Sequence, residues 1–240
     1  MHRIRVSALR ELRWPELLEA AQLLGRGMCD NPANVRAFGP DTERRRGALT
    51  RFFLPVLRGL YRRGLILGAF SDGRLVGVSG MARPGFCQPT PREKLALIPS
   101  LVFGNPLWTP MRILRWVGEW ERRDPAAPHW HLGPVAVDSH LQGRGLGSSL
   151  LAAFCGRMDD CHALSYLETD TPENVRFYER FGFRVVADAK VLDVPNWFMS
   201  RPARVAEKEC SVMTSTEIAE TFPIKASDHS ETIVRCHLDV

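Results

Sequence analysis

The feature that most constrains the fold of this 240-residue chain is a glycine-rich turn at residues 142–147, Gln-Gly-Arg-Gly-Leu-Gly. It follows an apolar run at 131–137 that is typical of a strand, and it opens a run from Leu146 to Met158 that is typical of a helix. Backbone N–H groups at the start of a helix point outward unpaired and carry partial positive charge. Glycines allow special dihedral angles and a close approach to a ligand. The turn therefore predicts a phosphate-binding loop.

The spacing of the glycines narrows the class of phosphate ligand. The pattern G-x-x-x-x-G-K-[ST] is excluded, because no lysine followed by serine or threonine stands after the glycines. The pattern G-x-G-x-x-G is excluded because the glycines fall at 143, 145 and 147. The remaining pattern, Q-x-x-G-x-G, resembles the pyrophosphate-binding loop of the GNAT superfamily, the acetyl-CoA-dependent N-acetyltransferases.

A second block, at residues 167–183, strengthens the resemblance. Asn174, Tyr178, Gly182 and Phe183 are similar to the N-x-x-x-(F/Y)-Y-x-x-x-G-F block that GNAT enzymes carry after their fifth strand. This block and the segment 196–200 are most similar to the puromycin N-acetyltransferase group. The specific match covers roughly residues 130–200, and the superfamily layout can be traced over 1–202. The fold that the resemblance implies is α/β (α+β), a mixed twisted sheet of about six to seven strands flanked by helices, with splayed parallel fourth and fifth strands.

Apolar patterning and turn residues predict the individual elements. Helices are predicted at 14–24, at 41–63 with an interruption or kink at Pro55, at 110–123, at 146–158, and after Thr171 as N-cap with Pro172 at the first turn. Strands are predicted at 4–8, 65–70, 75–81, 130–137, 164–169, 183–187 and 196–200, the second and third forming a hairpin at Asp72-Gly73.

The domain organisation is predicted to be one GNAT domain, 1–202, followed by a polar tail, 203–240. The tail is expected to be a flexible extension, with a partner-binding segment as the alternative. The proline-rich stretch 83–128 is predicted to be a helical insertion. Two readings of it stay open, a wall of the acceptor pocket and a surface insertion that packs on the sheet.

Composition argues against nucleic-acid binding, metal binding, secretion and membrane association. The net charge of +5 is modest and no dense Lys/Arg face carries interleaved aromatics, so nucleic acid is not expected as a partner. The six cysteines form no C-x-x-C and no zinc-ligand spacing, so no metal is expected, and scattered thiols are usual in a reducing compartment. No signal peptide and no apolar run of membrane-spanning length is visible, so we expect a cytoplasmic protein with no membrane association.

The resemblance implies acetyl-CoA as cosubstrate and names the groups that bind it. The backbone of Val135, Ala136 and Val137 would pair with pantetheine, although both valines could simply be buried strand residues. Asn174 would bond the pantetheine arm, and Arg144 would pair with a phosphate oxygen or else stay exposed without a fixed partner. The pyrophosphate would sit on the loop formed by Gln142, Gly143, Arg144, Gly145, Leu146, Gly147 and Ser148.

Acetyl transfer to an amine needs a proton acceptor and a proton donor. An alkylamine with a pKa near 10.4 is only ~0.04% neutral at pH 7, equivalent to about 4.6 kcal/mol. Glu168 and His131 are the candidate bases, and His129 has less support because it precedes the strand. Tyr178 occupies the position of the general acid, with core packing as its alternative role. Cys155 and Cys161 lie away from the expected acyl site, so a cysteine nucleophile is not expected.

The leading interpretation is an N-acetyltransferase acting on a small-molecule amine of an antibiotic-like or arylalkylamine kind. Trp108, Trp116 and Trp130 offer aromatic surface for such an acceptor. The alternatives are a protein acetyltransferase acting on lysine or an N-terminus, and an acyl-CoA-binding sensor without catalysis. GNAT proteins often form homodimers, but the sequence specifies no mode.

Overall fold

The computed structural model describes residues 6–204, which form one seven-stranded sheet with helices on both faces. The strand order is β1-β2-β3-β4-β5-β7-β6. The strands are β1 Ala8–Glu11, β2 Gly64–Ser71, β3 Arg74–Ala82, β4 Trp130–Val137, β5 Ser165–Thr169, β6 Arg184–Val191 and β7 Val194–Arg201. The helices are α1 Leu17–Gly27, α2 Pro32–Phe38, α3 Thr42–Arg63, α4 Pro91–Val102, α5 Thr109–Glu121, α6 Leu146–Asp160 and α7 Pro172–Glu179.

The sheet is antiparallel except at its centre, where β4 and β5 run parallel. These two strands pair only at Trp130 with Ser165 and at His131 with Tyr166. Beyond those two residue pairs the strands diverge, although β4 continues to Val137 and β5 to Thr169. This confirms the predicted mixed sheet with splayed fourth and fifth strands.

Two hydrophobic clusters hold the helices against the sheet. On one face α6 and α7 pack through buried residues such as Leu150, Phe154 and Tyr178. On the other face α1 to α5 pack around Leu24, Leu49 and neighbouring side chains. Each fully buried leucine contributes about 1.5–3 kcal/mol relative to exposure. The sheet is therefore covered on both faces, and the gap between β4 and β5 opens into both layers.

Most elements lie where the sequence predicted them. The β2–β3 hairpin turns at Asp72 and Gly73, both with positive φ, as a two-residue hairpin loop requires. The predicted interruption of α3 at Pro55 is wrong, because the helix continues through this residue to Arg63. Leu49, Phe53 and Leu57 on its inner face are buried, so core packing offsets the hydrogen bond that proline cannot donate.

Other boundaries differ from the prediction. The first strand was predicted at 4–8 but is found at Ala8–Glu11, where it pairs with β2. Helix α2 was not predicted, whereas α4 lies within the stretch 83–128 that was predicted to be a helical insertion; both helices begin with a proline. The expectation for the tail concerns residues that, beyond 204, lie outside the described part of the chain. No helix within residues 6–204 has the length and apolar character needed to cross a membrane.

Candidate active site

The glycine-rich turn forms an anion-binding helix start. Gly143 and Gly145 have φ of 74° and 91°, in the region that favours glycine, and Gly145 is the N-cap of α6. The N–H of Ser149 donates to the carbonyl of Gly145 at 3.1 Å, the bond that opens the helical ladder. The N–H groups before it, at the first residues of α6, have no acceptor within the helix. Their geometry suits a phosphate group.

A groove of about 710 Å³ runs past this turn. Arg144 and Arg180 line it and add positive charge beside the helix start. The residues predicted to bind the cosubstrate all line this one groove: Val135, Ala136, Val137, Gln142, Gly143, Arg144, Gly145, Leu146, Gly147, Ser148, Asn174 and Tyr178. The groove therefore combines the N–H groups of a helix start with nearby arginine side chains, an arrangement that suits an anionic ligand.

Gln142 has a positioning contact that the motif did not reveal. Its side-chain amide donates to the carbonyl of Val137 and to that of Gly27, each at 3.3 Å. These bonds hold the end of β4 against the end of α1. A side chain at Gly27 would lie 2.6 Å from the carbonyl oxygen of Val137, so this close approach requires glycine. The position of the loop thus depends on α1 as well as on β4.

The splay leaves one edge of β4 outside the sheet pairing. Val135, Ala136 and Val137 pair with β3 on one side and lie beyond the last β4–β5 pair on the other. Backbone groups on that edge are available to an extended ligand, which would bind as an added strand does. Val135 is only partly buried, so the reading of this segment as purely buried core does not describe it.

A second cavity, of about 280 Å³, lies on the α1–α5 face of the sheet. Five residues line both this cavity and the groove and therefore stand where the two spaces meet: Met28, Asn31, Val135, Asn174 and Tyr178. Its wall is mainly apolar and comes largely from α3, α4 and α5: Phe52, Phe53, Val56, Leu60, Leu97, Ile113, Trp116, Val117 and Trp120. The insertion 83–128 therefore lines this cavity.

Tyr178 is buried at the junction of groove and cavity. Its ring lies 5.3 Å from that of Phe177 and 5.9 Å from that of Phe183, centroid to centroid. Burial, and secondarily the nearby carboxylate of Asp170, raises the pKa of its hydroxyl. The hydroxyl therefore stays protonated at neutral pH and is able to donate a proton. Asn174, one turn earlier on α7, lines the same two spaces.

Glu168 and His131 form a buried pair on the neighbouring strands. Glu168 Oε2 lies 2.9 Å from His131 Nε2, and the Glu168 side chain is only 2% exposed. The His131 ring packs on Tyr166, with centroids 5.6 Å apart. Burial lowers the pKa of His131, but attraction to Glu168 and Asp124 outweighs burial and raises it. The sequence proposed the two residues as alternatives, whereas the fold places them in contact.

Sequence reasoning missed Asp170, which directly follows β5 and lines the cavity. Its carboxylate accepts the N–H of Ala33 at 2.8 Å and the side-chain amide of Asn31 at 3.4 Å. Burial raises its pKa. Its position beside Glu168, in the same strand end that meets the cofactor groove, is the signal that could have identified it.

The aromatic residues divide between the cavity and the rest of the molecule. Trp116 lines the cavity beside Trp120, with ring centroids 5.3 Å apart. Trp130 packs instead with the α6 cluster, and Trp108 is 49% exposed and lies outside the cavity lining. The expectation of an aromatic surface from all three predicted tryptophans is therefore right only for Trp116.

Cys155 and Cys161 lie on and after helix α6, the positions that the sequence predicted for them. Cys155 is buried within α6 and Cys161 ends that helix. Neither lines the groove or the cavity. Cys87 does line the cavity, on the segment between β3 and α4.

Comparison with known proteins agrees with this geometry. A model of the acetyltransferase (GNAT) family matches residues 42–183, more than half of the chain. A solved structure of "histone acetyltransferase HPA2 and related acetyltransferase" from Corynebacterium glutamicum is 24% identical, with a TM-score of 0.63. That match covers 86% of this chain and 99% of the other.

Two further solved structures share the fold at lower identity. The polyamine N-acetyltransferase of Drosophila melanogaster, which forms N-acetylagmatine, is 16% identical with a TM-score of 0.54, covering 81% of this chain and 99% of that one. The ribosomal-protein-S18-alanine N-acetyltransferase of Escherichia coli is 14% identical with a TM-score of 0.51, covering 84% and 97%. The family match, the splayed parallel strands and the glycine-capped helix start agree, and the chain belongs to the GNAT family of acetyltransferases.

Proposed function

We propose that this enzyme transfers the acetyl group of acetyl-CoA directly to the primary amine of a small, largely apolar or aromatic molecule. One observation carries the proposal: the cosubstrate groove and the apolar cavity meet at five shared residues, Val135, Asn174 and Tyr178 among them. A thioester that extends along β4 from the loop would reach the point where the cavity opens. An amine in the cavity would then stand beside it, without a covalent enzyme intermediate.

The lining of the cavity argues for the class of acceptor. Phe52, Trp116 and Trp120 supply aromatic contact surface, and the carboxylates of Glu168 and Asp170 line the same space. An apolar wall with two carboxylates fits a molecule with one cationic amine and an apolar body. The buried indole N–H of Trp116 has no hydrogen-bond partner within residues 6–204, so an oxygen of the acceptor would satisfy it.

Glu168 is the proposed acceptor of the amine proton. The carboxylate is buried, lines the cavity and already interacts with His131, whose Nε2 lies 2.9 Å from its Oε2. His131 is thus a positioning residue for Glu168 in the resting enzyme. Tyr178 is the proposed donor to the departing thiolate, because its hydroxyl is protonated at neutral pH and its side chain lines both the groove and the cavity. N–H groups of the Val135–Val137 segment would stabilise the oxyanion.

A protein acceptor and a non-catalytic sensor role match this cavity less well. The named neighbours include enzymes for polyamines and for a ribosomal-protein alanine, so the fold serves both small and protein acceptors. In this chain the insertion 83–128 closes the α1–α5 face around a cavity of about 280 Å³, which leaves little room for a peptide segment. An acyl-CoA sensor would not need the buried Glu168–His131 pair. The closer likeness to puromycin N-acetyltransferases stays a prediction about the acceptor, and homodimer formation and a cytoplasmic location also stay predictions.

Acceptor-dependent release of CoA tests the proposal. Purified enzyme with acetyl-CoA is offered puromycin, arylalkylamines, aminoglycosides, polyamines and lysine peptides, and kcat/KM is measured for each. We expect the apolar amines to exceed polyamines and peptides by about 100-fold, the value of roughly 2.7 kcal/mol of differential binding. A preference for peptides would overturn the small-molecule assignment. No release, together with no shift of Tm by acetyl-CoA, would overturn the assignment of the loop.

A further inference from the structure

A cluster of metal-ligating side chains lies at the wall of the cavity, which two of them, Cys87 and His131, line. The sulfur of Cys87 and one ring nitrogen each of His129 and His131 all lie within 4.8 Å of one another. The carboxylate of Asp124 joins them, with Oδ1 at 3.1 Å from His129 Nε2 and 3.9 Å from His131 Nδ1. Sequence spacing does not reveal this group, because Cys87 and His129 are 42 residues apart.

The hydrogen bonds of the two imidazoles already orient them as metal ligands. His129 Nδ1 lies 2.9 Å from the carbonyl of Ala127 and donates to it, while Nε2 faces the Asp124 carboxylate at 3.1 Å and would give up its proton to bind a metal. His131 Nε2 lies 2.9 Å from the Glu168 carboxylate, which leaves Nδ1 as the inward-facing nitrogen. This Nδ1 is buried without a hydrogen-bond partner in the described part of the chain. Histidines that bind metals characteristically donate their other ring N–H to a carboxylate or a backbone carbonyl.

The position of Cys87 is fixed by its neighbours. The Arg63 guanidinium donates from Nη1 to the carbonyls of Phe86 and Gln88, one on each side of Cys87. Arg63 is itself held by an ion pair with Glu93 at 3.1 Å. The thiol is partly buried and is not in a disulfide. The ligand atom therefore comes from a backbone segment that is tied down on both sides.

From this arrangement we propose that Cys87, His129, His131 and Asp124 bind one divalent cation of the zinc class. One thiolate, two imidazoles and one carboxylate match the ligand preferences of zinc and do not match those of magnesium or calcium. Around zinc the ligand atoms stand about 3.3–3.8 Å apart, from bond lengths of about 2.0–2.3 Å. Side-chain movements of about 1 Å would therefore close the cluster around the ion.

The location of the site gives the ion a role. Cys87 lies near the start of the insertion, where the chain has left β3, and Asp124 and His129 lie near its end, before β4. A bound cation would fasten both ends of the insertion to the sheet and fix the wall of the acceptor cavity. Because it binds the folded chain, free zinc at 100 times Kd is expected to raise Tm by about 5–10 °C.

The experiment titrates the chelator-treated full chain with Zn²⁺ by calorimetry and with Co²⁺ by absorption spectroscopy. All variants carry Cys210→Ser and Cys236→Ser, which removes the thiols outside the described residues. Cys87→Ser is compared with Cys161→Ser, a matched control at the end of α6. We expect one equivalent of metal, a cobalt–thiolate charge-transfer band, and a Kd that rises at least 100-fold in Cys87→Ser and less than twofold in Cys161→Ser.

Three results would overturn the proposal: no stoichiometric binding, equal Kd in the two variants, or cobalt spectra without a thiolate band. If Cys87→Ser fails to fold, the cobalt spectrum of the chain with Cys87 intact still tests whether a thiolate binds the metal. Metal binding is measured without acetyl-CoA or an amine, so its failure leaves the proposed acetyl transfer untouched. Likewise, an inactive enzyme that binds zinc at Cys87 would sustain this inference alone.

Discussion

The cosubstrate groove and the acceptor cavity differ in whether backbone or side-chain atoms line them. The groove's phosphate end is mostly backbone, with the N–H groups of residues 143–148 coming from one short continuous stretch. The cavity is mostly side chains, drawn from α3, α4, α5, β4, β5 and α7. Backbone donors are common to every sequence that can form the turn, whereas side chains set the shape and charge of a pocket. We infer that the groove defines the family and the cavity defines the acceptor.

The first prediction tests the residue that belongs to both spaces. Tyr178→Phe removes only the hydroxyl at the junction, so loss of the proton donor should lower kcat by about 10²–10⁴-fold. The Kd of acetyl-CoA should change less than twofold, because the ring still packs against Phe177 and Phe183. Steady-state kinetics and calorimetry measure the two effects. Tyr61→Phe, at the exposed surface of α3, is the control and should leave kcat unchanged. Unchanged kcat in Tyr178→Phe would remove the proton-donor role.

The second prediction belongs to the cavity side. Glu168→Gln keeps the shape of the side chain but removes the proposed proton acceptor, so kcat/KM at pH 7 should fall by about 10²–10³-fold. The deficit should shrink as pH rises, because the neutral fraction of the amine increases about tenfold per pH unit below its pKa near 10.4. Initial rates from pH 7 to 10 measure this. Glu179→Gln, exposed on α7, is the matched control. A deficit that stays constant with pH would argue that Glu168 only supports the structure.

The third prediction belongs to the groove side and compares two glycines of the same region. A side chain at Gly143 or at Gly156 would meet no atom within 4 Å, but only Gly143 has positive φ. Gly143→Ala should therefore strain the turn by about 1–2 kcal/mol and raise the KM of acetyl-CoA about tenfold. Gly156→Ala, inside α6, should stabilise the fold by about 0.5–1 kcal/mol without changing that KM. Thermal melting and kinetics separate the two, and an equal KM in both variants would contradict the loop assignment.

The fourth and smallest effect again belongs to the cavity. Trp116→Phe keeps an aromatic ring but removes the buried N–H without a partner, so the KM of an oxygen-bearing acceptor should rise about fivefold. The KM of acetyl-CoA should not change. Trp108→Phe, half-exposed and outside the cavity, is the control. A rise in both KM values would show that Trp116 acts on the fold as a whole.

The same contrast explains what the sequence could predict. The turn at 142–147, the strand before it and the helix after it are local, so their patterns predicted β4, the loop and α6 correctly. Tyr178 and Asn174 were recognised because they stand one helical turn apart in a single block. For this reason, individual residues that line the groove could be predicted from the sequence.

The residues that line the cavity could not be predicted in that way, because they come together only through tertiary contacts. Contact between Glu168 and His131 depends on which residues of two parallel strands pair. This register cannot be predicted from the sequence of either strand alone. Trp116 and Trp130 were both candidates for the acceptor surface, yet one lines the cavity and the other packs with the α6 cluster. Helix α4 and Cys87 lie in the stretch 83–128, which the sequence predicted to be a helical insertion without locating this helix or the ligand cluster.

The position of β7 has a consequence for how the enzyme is made. This strand lies between β5 and β6 in the sheet, although it follows both along the chain. Glu168 pairs with Phe198 and Thr169 with Trp197, so the strand that carries the proposed base acquires its second neighbour last. A chain growing on the ribosome can complete the glycine turn and α6 well before that pairing exists. The emerging enzyme is therefore expected to hold its cosubstrate site before it holds a competent base, and catalysis waits for the final strand.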